Sequence, residues 1–332
     1  MKNKSKTKVK FKSSKYQQVL PALVVALAIA AIGLKLLLGS HAATPSTAAG
    51  EAESGTKAGT TSTVADSAAS GGNALKFGTA AVSSNPSGVA MPTGNTTVDG
   101  HTWTPSFSDD FTSNFALGSW YSSSYVTSGR WSSYDGPDTC GKGACGSSSV
   151  YNPTDTLSAS GGMLDMYIHT TSSGVHETAG PSPNNQNMTY GLVSIRFKTS
   201  TRNLAGFKTA WLWWPTTYAW TDEIDFPEGD LSGTIGGFGH CYSSSGSASS
   251  NCAQVGSNAY YDSWHTATLA WMPGKVDFIL DGQSLGTQTS GVSAEQMYYV
   301  LQTESCFDDP GACPNNSEAG HLDIDWFVMY KY

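Results

Sequence analysis

Asp222-Glu223-Ile224-Asp225-Phe226-Pro227-Glu228-Gly229-Asp230 sets five carboxylates in nine residues around two large apolar side chains. On a β-strand, successive side chains point to opposite faces. Glu223 and Asp225 then share one face, and Ile224 turns the other way into a core. Strict alternation would send Glu228 to the core side. Pro227 changes that, because a proline cannot donate to a sheet ladder and inside a strand implies an edge or a bulge. One bulged residue resets the parity and returns Glu228 to the face of Glu223.

That face has a chemical consequence. Two Glu four effective steps apart have Cα atoms roughly 13 Å apart, at about 3.3 Å per step. Side chains leaning inward bring the carboxyls to about 5–5.5 Å, the separation of a retaining glycosidase pair. With Asp225 between them, the three cannot all be ionised, so one carboxyl must have a raised pKa. A protonated Glu is a general acid and an ionised one a nucleophile. A merely solvated acidic face, or an oxygen-rich Ca²⁺ site, remains an alternative on charge alone. The aromatic neighbours favour catalysis. Trp211, Trp213, Trp214 and Trp220 precede the run, and indole faces beside polar groups suit stacking on pyranose rings. Alternation puts Trp211 and Trp213 on one face and Trp214 on the other. Trp211 and Trp213 are the expected substrate-binding pair.

Strand signals continue in both directions. Segments 163–169, 192–199, 210–214, 223–228, 234–241, 265–271, 275–280, 298–304 and 322–330 read as strands, and Asp281-Gly282 as a turn. No stretch beyond about residue 103 sustains a 3.6-residue period. Many short strands with Gly-rich turns predict an all-β jelly-roll β-sandwich. The six Cys fall into sequential neighbours: Cys140 and Cys145, Cys241 and Cys252, Cys306 and Cys313. In an exported chain an even count reads as disulfides, and local pairing is expected. A zinc site competes, but the spacings lack two CxxC knuckles.

Composition divides the chain further. All ten Trp lie at or beyond residue 103. Residues 44–100 contain 38 Ala, Gly, Ser or Thr out of 57, too little apolar area to offset the entropy of ordering. They read as a linker, although 68–77 faintly resembles the opening strands of β-sandwich carbohydrate-binding modules. Residues 1–43 carry seven Lys in the first 15, then an apolar run over 19–38 interrupted by Lys35. This is a signal peptide ending near Ala42 or an uncleaved signal anchor. Both place the remainder outside the cytoplasm, secreted or tethered to the outer face of the membrane, and touching membrane only through that segment. The whole chain has 18 basic and 26 acidic residues. Without those eight Lys the rest is about −16, which repels phosphate backbones and excludes a nucleic-acid partner.

The run EIDFPE, 223–228, resembles the ExDxxE signature of glycoside hydrolase family 16, in the bulged form of laminarinase-type enzymes. Supporting likenesses follow in order: FSDDF at 107–111, GFKTAWLWWP at 206–215, WHTATLAWMPGKVDFILDG at 264–282 and DWFVMY at 325–330. The resemblance implies a concanavalin-like jelly roll over 101–332 and a retaining double displacement. It implies Glu223 as nucleophile, Glu228 as acid/base, Asp225 as the assisting carboxylate and His240 beside them. It also implies a structural Ca²⁺ held partly through Asp325, with no cofactor required for catalysis. The chain departs from the family where Lys208-Thr209 replaces the usual Trp-Pro pair, which bears on the sugar preferred.

These readings predict an exported retaining endo-β-glycanase acting on β-1,3- or mixed-linkage β-glucan, a monomer with a polysaccharide partner. Its rivals are a transglycosylase or galactan hydrolase of the same fold, and a non-catalytic lectin-like glycan-binding protein.

Overall fold

The computed structural model describes residues 61–65, 73–77, 85–137, 148–218, 222–241, 250–306 and 313–332. The expected signal or anchor segment, 1–43, lies outside them, as do Cys140 and Cys145. Among the described residues no helix is long and apolar enough to cross a membrane.

The chain divides into two units, 1–80 and 81–332. In the first, Thr61–Ala65 pairs antiparallel with Asn73–Phe77, a short hairpin within the stretch whose composition reads as linker. The second unit is the β-sandwich. Its larger sheet has twelve strands, with Gly191–Thr199, His265–Met272 and Ala319–Lys331 at its centre. Its smaller sheet has five strands in the order Ser250–Tyr260, Thr234–Cys241, Ile224–Asp230, Phe207–Pro215, Met297–Ser305. Every strand read from the sequence is present, with ends shifted by a few residues. The fold is the expected jelly-roll sandwich.

Aromatic side chains weld the two sheets. Trp211 packs edge-on to Phe197 at 5.0 Å between ring centroids, Trp213 lies 5.6 Å from Trp271, and Phe226 lies 5.8 Å from Phe278. Each pair joins the small sheet to the large one. Alternation along Phe207–Pro215 sends Phe207, Thr209, Trp211 and Trp213 inward. Lys208, Ala210, Leu212 and Trp214 therefore point to the outer face.

The folded unit starts earlier than residue 101. Met91 and Val98 pack on a second apolar cluster of Trp103, Leu192, Ala270, Met272, Trp326, Val328 and Tyr330. The Trp326 indole N–H donates to the Val89 carbonyl at 3.0 Å. The outer side of the large sheet is apolar here and must be covered. A few apolar residues in an otherwise polar segment suffice to cover it.

Candidate active site

Ile224–Asp230 is the central strand of the small sheet, and its bulge is visible in the register. Leu212 pairs with Asp225 and Ala210 with Glu228, so one residue on the tryptophan strand faces two on the acidic strand. The same slip occurs against Thr234–Cys241, where Asp225 faces Phe238 and Glu228 faces Gly236. Phe226 and Pro227 carry the extra residue, and their peptide bond is cis. The Tyr299 hydroxyl donates to the Phe226 carbonyl at 3.0 Å, satisfying an acceptor at the bulge. Gly237 makes room on the next strand: a Cβ there would lie 2.7 Å from the Phe226 ring and 2.8 Å from the Asp225 carbonyl.

The bulge places Glu223, Asp225 and Glu228 together on the outer face. Glu223 lies just before the strand, and its carbonyl accepts the His240 backbone N–H at 2.9 Å. The His240 ring reaches Asp225 directly, with Nε2 3.0 Å from Oδ2. The imidazole thus holds the middle carboxylate of the trio. The expected convergence of Glu223, Asp225, Glu228 and His240 is therefore what the structure contains.

Trp211 and Trp213 do not join them. Both are fully buried between the sheets, so neither can stack on a sugar, and their assignment as substrate-binding residues is corrected to core. Leu212 and Ala210 are the residues opposite the carboxylates, and residues paired across strands share a face. The partly exposed Trp214 is the tryptophan of this strand on the side of the carboxylates.

Sequence reasoning also missed Lys208, Glu304 and Tyr134. Lys208 Nζ lies 2.6 Å from Glu304 Oε1, both side chains nearly buried on the outer face. They are cross-strand partners in register, Lys208 on the tryptophan strand and Glu304 on Met297–Ser305. The departure at Lys208 was legible in the sequence, but its partner lies nearly a hundred residues away. Tyr134 comes from the loop after Trp131–Ser133, and its hydroxyl is raised first by burial and, among lesser causes, by the Glu223 charge.

Burial dominates the electrostatics. It raises Glu228 to about 7, opposed by the nearby Lys208 ammonium and reinforced by Glu223. It raises Glu223 to about 10, reinforced by the Asp225 charge and opposed by His240. Asp225, fully enclosed, is raised well above the carboxylate range, by burial first and then by Glu228. After burial, the Asp225 charge is the next cause that raises Glu223, so the proton these two carboxyls hold belongs to the pair rather than to either residue. One Glu228 oxygen, Oε2, is buried without a protein partner. Burial thus favours the protonated forms of all three carboxyls.

Two metal questions arise. Ligand atoms of Glu223, Asp225 and His240 lie within 4.8 Å of one another, close enough to hold a cation. Asp325 lies elsewhere, on Ala319–Lys331. Its Oδ2 accepts hydrogen bonds from the Ser87 backbone N–H and hydroxyl, while Oδ1 is buried without a protein partner. That orphaned oxygen suits one ligand to a hard cation. His176 also lies against Cys306 and Cys313. Those two sulfurs are joined as a disulfide, as are Cys241 and Cys252. Two of the three expected local pairs are thus present, and Cys306 and Cys313 are not thiolate ligands for zinc.

A β-sandwich with two glutamates and an aspartate on one buried strand face has the equipment of a glycoside hydrolase. The family model for glycosyl hydrolases family 16 matches residues 147–326, and the chain belongs to that family. No curated protein matches the chain. Solved structures similar to it include an endo-β-1,3-glucanase from Pyrococcus furiosus, 16% identical with a TM-score of 0.55, covering 72% of this chain and 98% of that one. An endo-1,3-β-glucanase from Streptomyces sioyaensis is 20% identical with a TM-score of 0.55, covering 73% and 98%. LamAcat from Zobellia galactanivorans is 17% identical with a TM-score of 0.54, covering 69% and 98%. At these identities the likeness establishes the jelly roll alone.

Proposed function

We propose that this glycoside hydrolase is an exported, retaining endo-β-glycanase acting on β-1,3- or mixed-linkage β-glucan. The observation that carries the reading is the bulge that gathers Glu223, Asp225 and Glu228 on one buried face. Glu228, raised to about 7, donates in its protonated form to the glycosidic oxygen as that bond breaks. Glu223 attacks the anomeric carbon from the opposite side once the shared proton rests on Asp225. Charge developing on the sugar ring is offset by the carboxylate that closes on it. In the second half, Glu228 accepts a proton from water, the water attacks the same carbon, and Glu223 leaves as a carboxylate. His240 holds Asp225 in position throughout. Named in this way, the chemistry runs on the chain's own carboxyls. A calcium ion at Asp325 would tie the 85–89 segment to the sandwich, away from the reacting atoms.

The endo-β-1,3-glucanases among its structural neighbours support the substrate class, and the −16 body supports a neutral polymer. The basic and apolar N-terminal segment supports export, and a single sandwich with its own core supports a monomer. The test is product analysis of the purified protein on laminarin, mixed-linkage glucan, agarose and xyloglucan. Oligosaccharide release from the first two supports the reading. Release only from agarose moves the enzyme to galactan, and binding without release from any moves it to the lectin class.

The pH profile follows from the acid. Glu228 is raised to about 7, so its useful protonated form predominates below that value and is lost as pH rises through it. kcat/KM is expected to fall along an alkaline limb centred near 7. Because the Lys208 ammonium favours ionised Glu228, Lys208→Met should move that limb to higher pH. Measurement of kcat/KM against pH for both proteins checks this. A limb that stays in place, or moves to lower pH, contradicts the assignment of Glu228.

A further inference from the structure

His240 reaches the catalytic trio from the end of Thr234–Cys241, and its backbone is anchored from outside the catalytic face. Alternation turns the His240 ring outward to Asp225 and turns Gly239 and Cys241 inward, between the sheets. On one side the His240 N–H donates to the Glu223 carbonyl. On the other side the ladder to Ser250–Tyr260 slips. Gly239 faces Ala253 and His240 faces Asn251, so Cys252 is the extra, bulged residue. Cys252 is bonded to Cys241, the residue after His240. The disulfide therefore bridges the place where the ladder is interrupted.

Gln288 supports the same place from the opposite sheet. It ends the edge strand Gln283–Gln288 of the large sheet and is 1% exposed. Its carboxamide N–H groups are shared among three carbonyls: Ser290 at 3.0 Å, Gly291 at 3.3 Å and His240 at 3.5 Å. Its Oε1 lies against Gly239, where a Cβ would overlap it. Gly291, held by the same amide, packs on the disulfide. A Cβ there would come within 2.6 Å of the Cys241 Cβ and 3.3 Å of both sulfurs. Burying a carboxamide is costly unless it is bonded, and this one spends its donors on the backbone around His240. We propose that Gln288 and the Cys241–Cys252 bond form a positioning clamp that fixes the His240 backbone, so that the ring keeps its contact with Asp225. Neither touches the sugar or the reacting carboxyls. A hydrogen bond of 3.0 Å weakens steeply with misalignment, so a small shift of the strand end would release Asp225. This inference names positioning residues for the proposed glycanase reaction, and only its kinetic test rests on that reading.

The test uses the full chain with the near-isosteric Gln288→Met, the double variant Cys241→Ser with Cys252→Ser, and His240→Ala. On laminarin, or whichever polymer of the panel is cleaved, kcat should fall about tenfold in each clamp variant with KM within about twofold, since a misplacement of about 1 Å costs up to about a hundredfold. A clamp that acts through His240 adds nothing once the ring is gone. Gln288→Met in the His240→Ala background should therefore lower kcat by less than about twofold. Unchanged kcat in either folded clamp variant overturns the proposal, and so does a Gln288→Met effect of equal size with and without the His240 ring. The cysteine variant decides if Gln288→Met fails to fold, and Gln288→Met decides in the converse case. A second readout needs no turnover. The His240 imidazole signals in a long-range proton–nitrogen spectrum are assigned by their loss in His240→Ala. In the clamp variants they should move toward their positions in Asp225→Asn, and unmoved signals overturn the clamp. Absence of wild-type activity on every polymer would instead overturn the glycanase reading, with the imidazole signals still deciding the clamp.

Discussion

Glu223→Gln is expected to lower hydrolysis by at least about 10⁴-fold while polymer binding changes by less than a few fold. The amide keeps the shape and much of the hydrogen bonding of the carboxylate but cannot form the glycosyl ester. Removing a nucleophile from a preassembled site costs this order of magnitude or more. Binding survives because the aromatic and polar surfaces around the trio do not change. Asp225→Asn should cost less, since Asp225 holds a shared proton and takes no bond to the sugar. Turnover measured on laminarin, with binding followed by retention on insoluble glucan, separates the two effects. A Glu223→Gln protein that cleaves near the wild-type rate would remove Glu223 from the role of nucleophile. A protein in which Asp225→Asn is the more damaging change would point to Asp225 instead.

The second large effect is on stability. Trp211→Ala is expected to cost about 3–5 kcal/mol, the usual penalty for truncating a buried aromatic. Trp211 is fully buried and packs on Phe197 of the opposite sheet. The cavity would open at the join between the sheets, where neither can collapse without moving the other. For a domain of this size, such a loss lowers Tm by on the order of 10 °C. Thermal unfolding followed by calorimetry reads it directly. If Trp211 were instead a sugar platform, Tm would hold and glucan affinity would fall. That result would refute the packing described above.

The candidate site was unevenly legible in the sequence. The trio of carboxylates could be placed on one face because the period of a strand is two and Pro227 demands a bulge. His240 was placed beside them only by the resemblance to family 16, since a lone His on the next strand carries no local signal of its own. Trp211 and Trp213 were misread because alternation groups side chains by face without saying which face is inward. Leu212 settles that, since it sits opposite Asp225. Lys208 and Glu304 meet through a pairing between distant strands, and Tyr134 arrives from a loop outside the small sheet. None of these contacts leaves a local signal. The outer strands Ser250–Tyr260 and Gln283–Gln288 also went unread. Both lie at sheet edges, where half-exposed Ser, Gly, Asn and Gln replace the apolar alternation of a buried strand.

By itself, the sequence determined that the second half is an all-β sandwich, that the strand of Pro227 is bulged, and that three carboxylates share the face away from the core. These follow from backbone periodicity and from the missing N–H of Pro227, which act within a few residues. Tertiary structure alone decided that Trp211 and Trp213 are core, that residues 85–98 cover the large sheet, and that Lys208 pairs with Glu304. It also decided how far burial lifts the carboxyls, because desolvation depends on everything packed around a group and not on its neighbours in the chain.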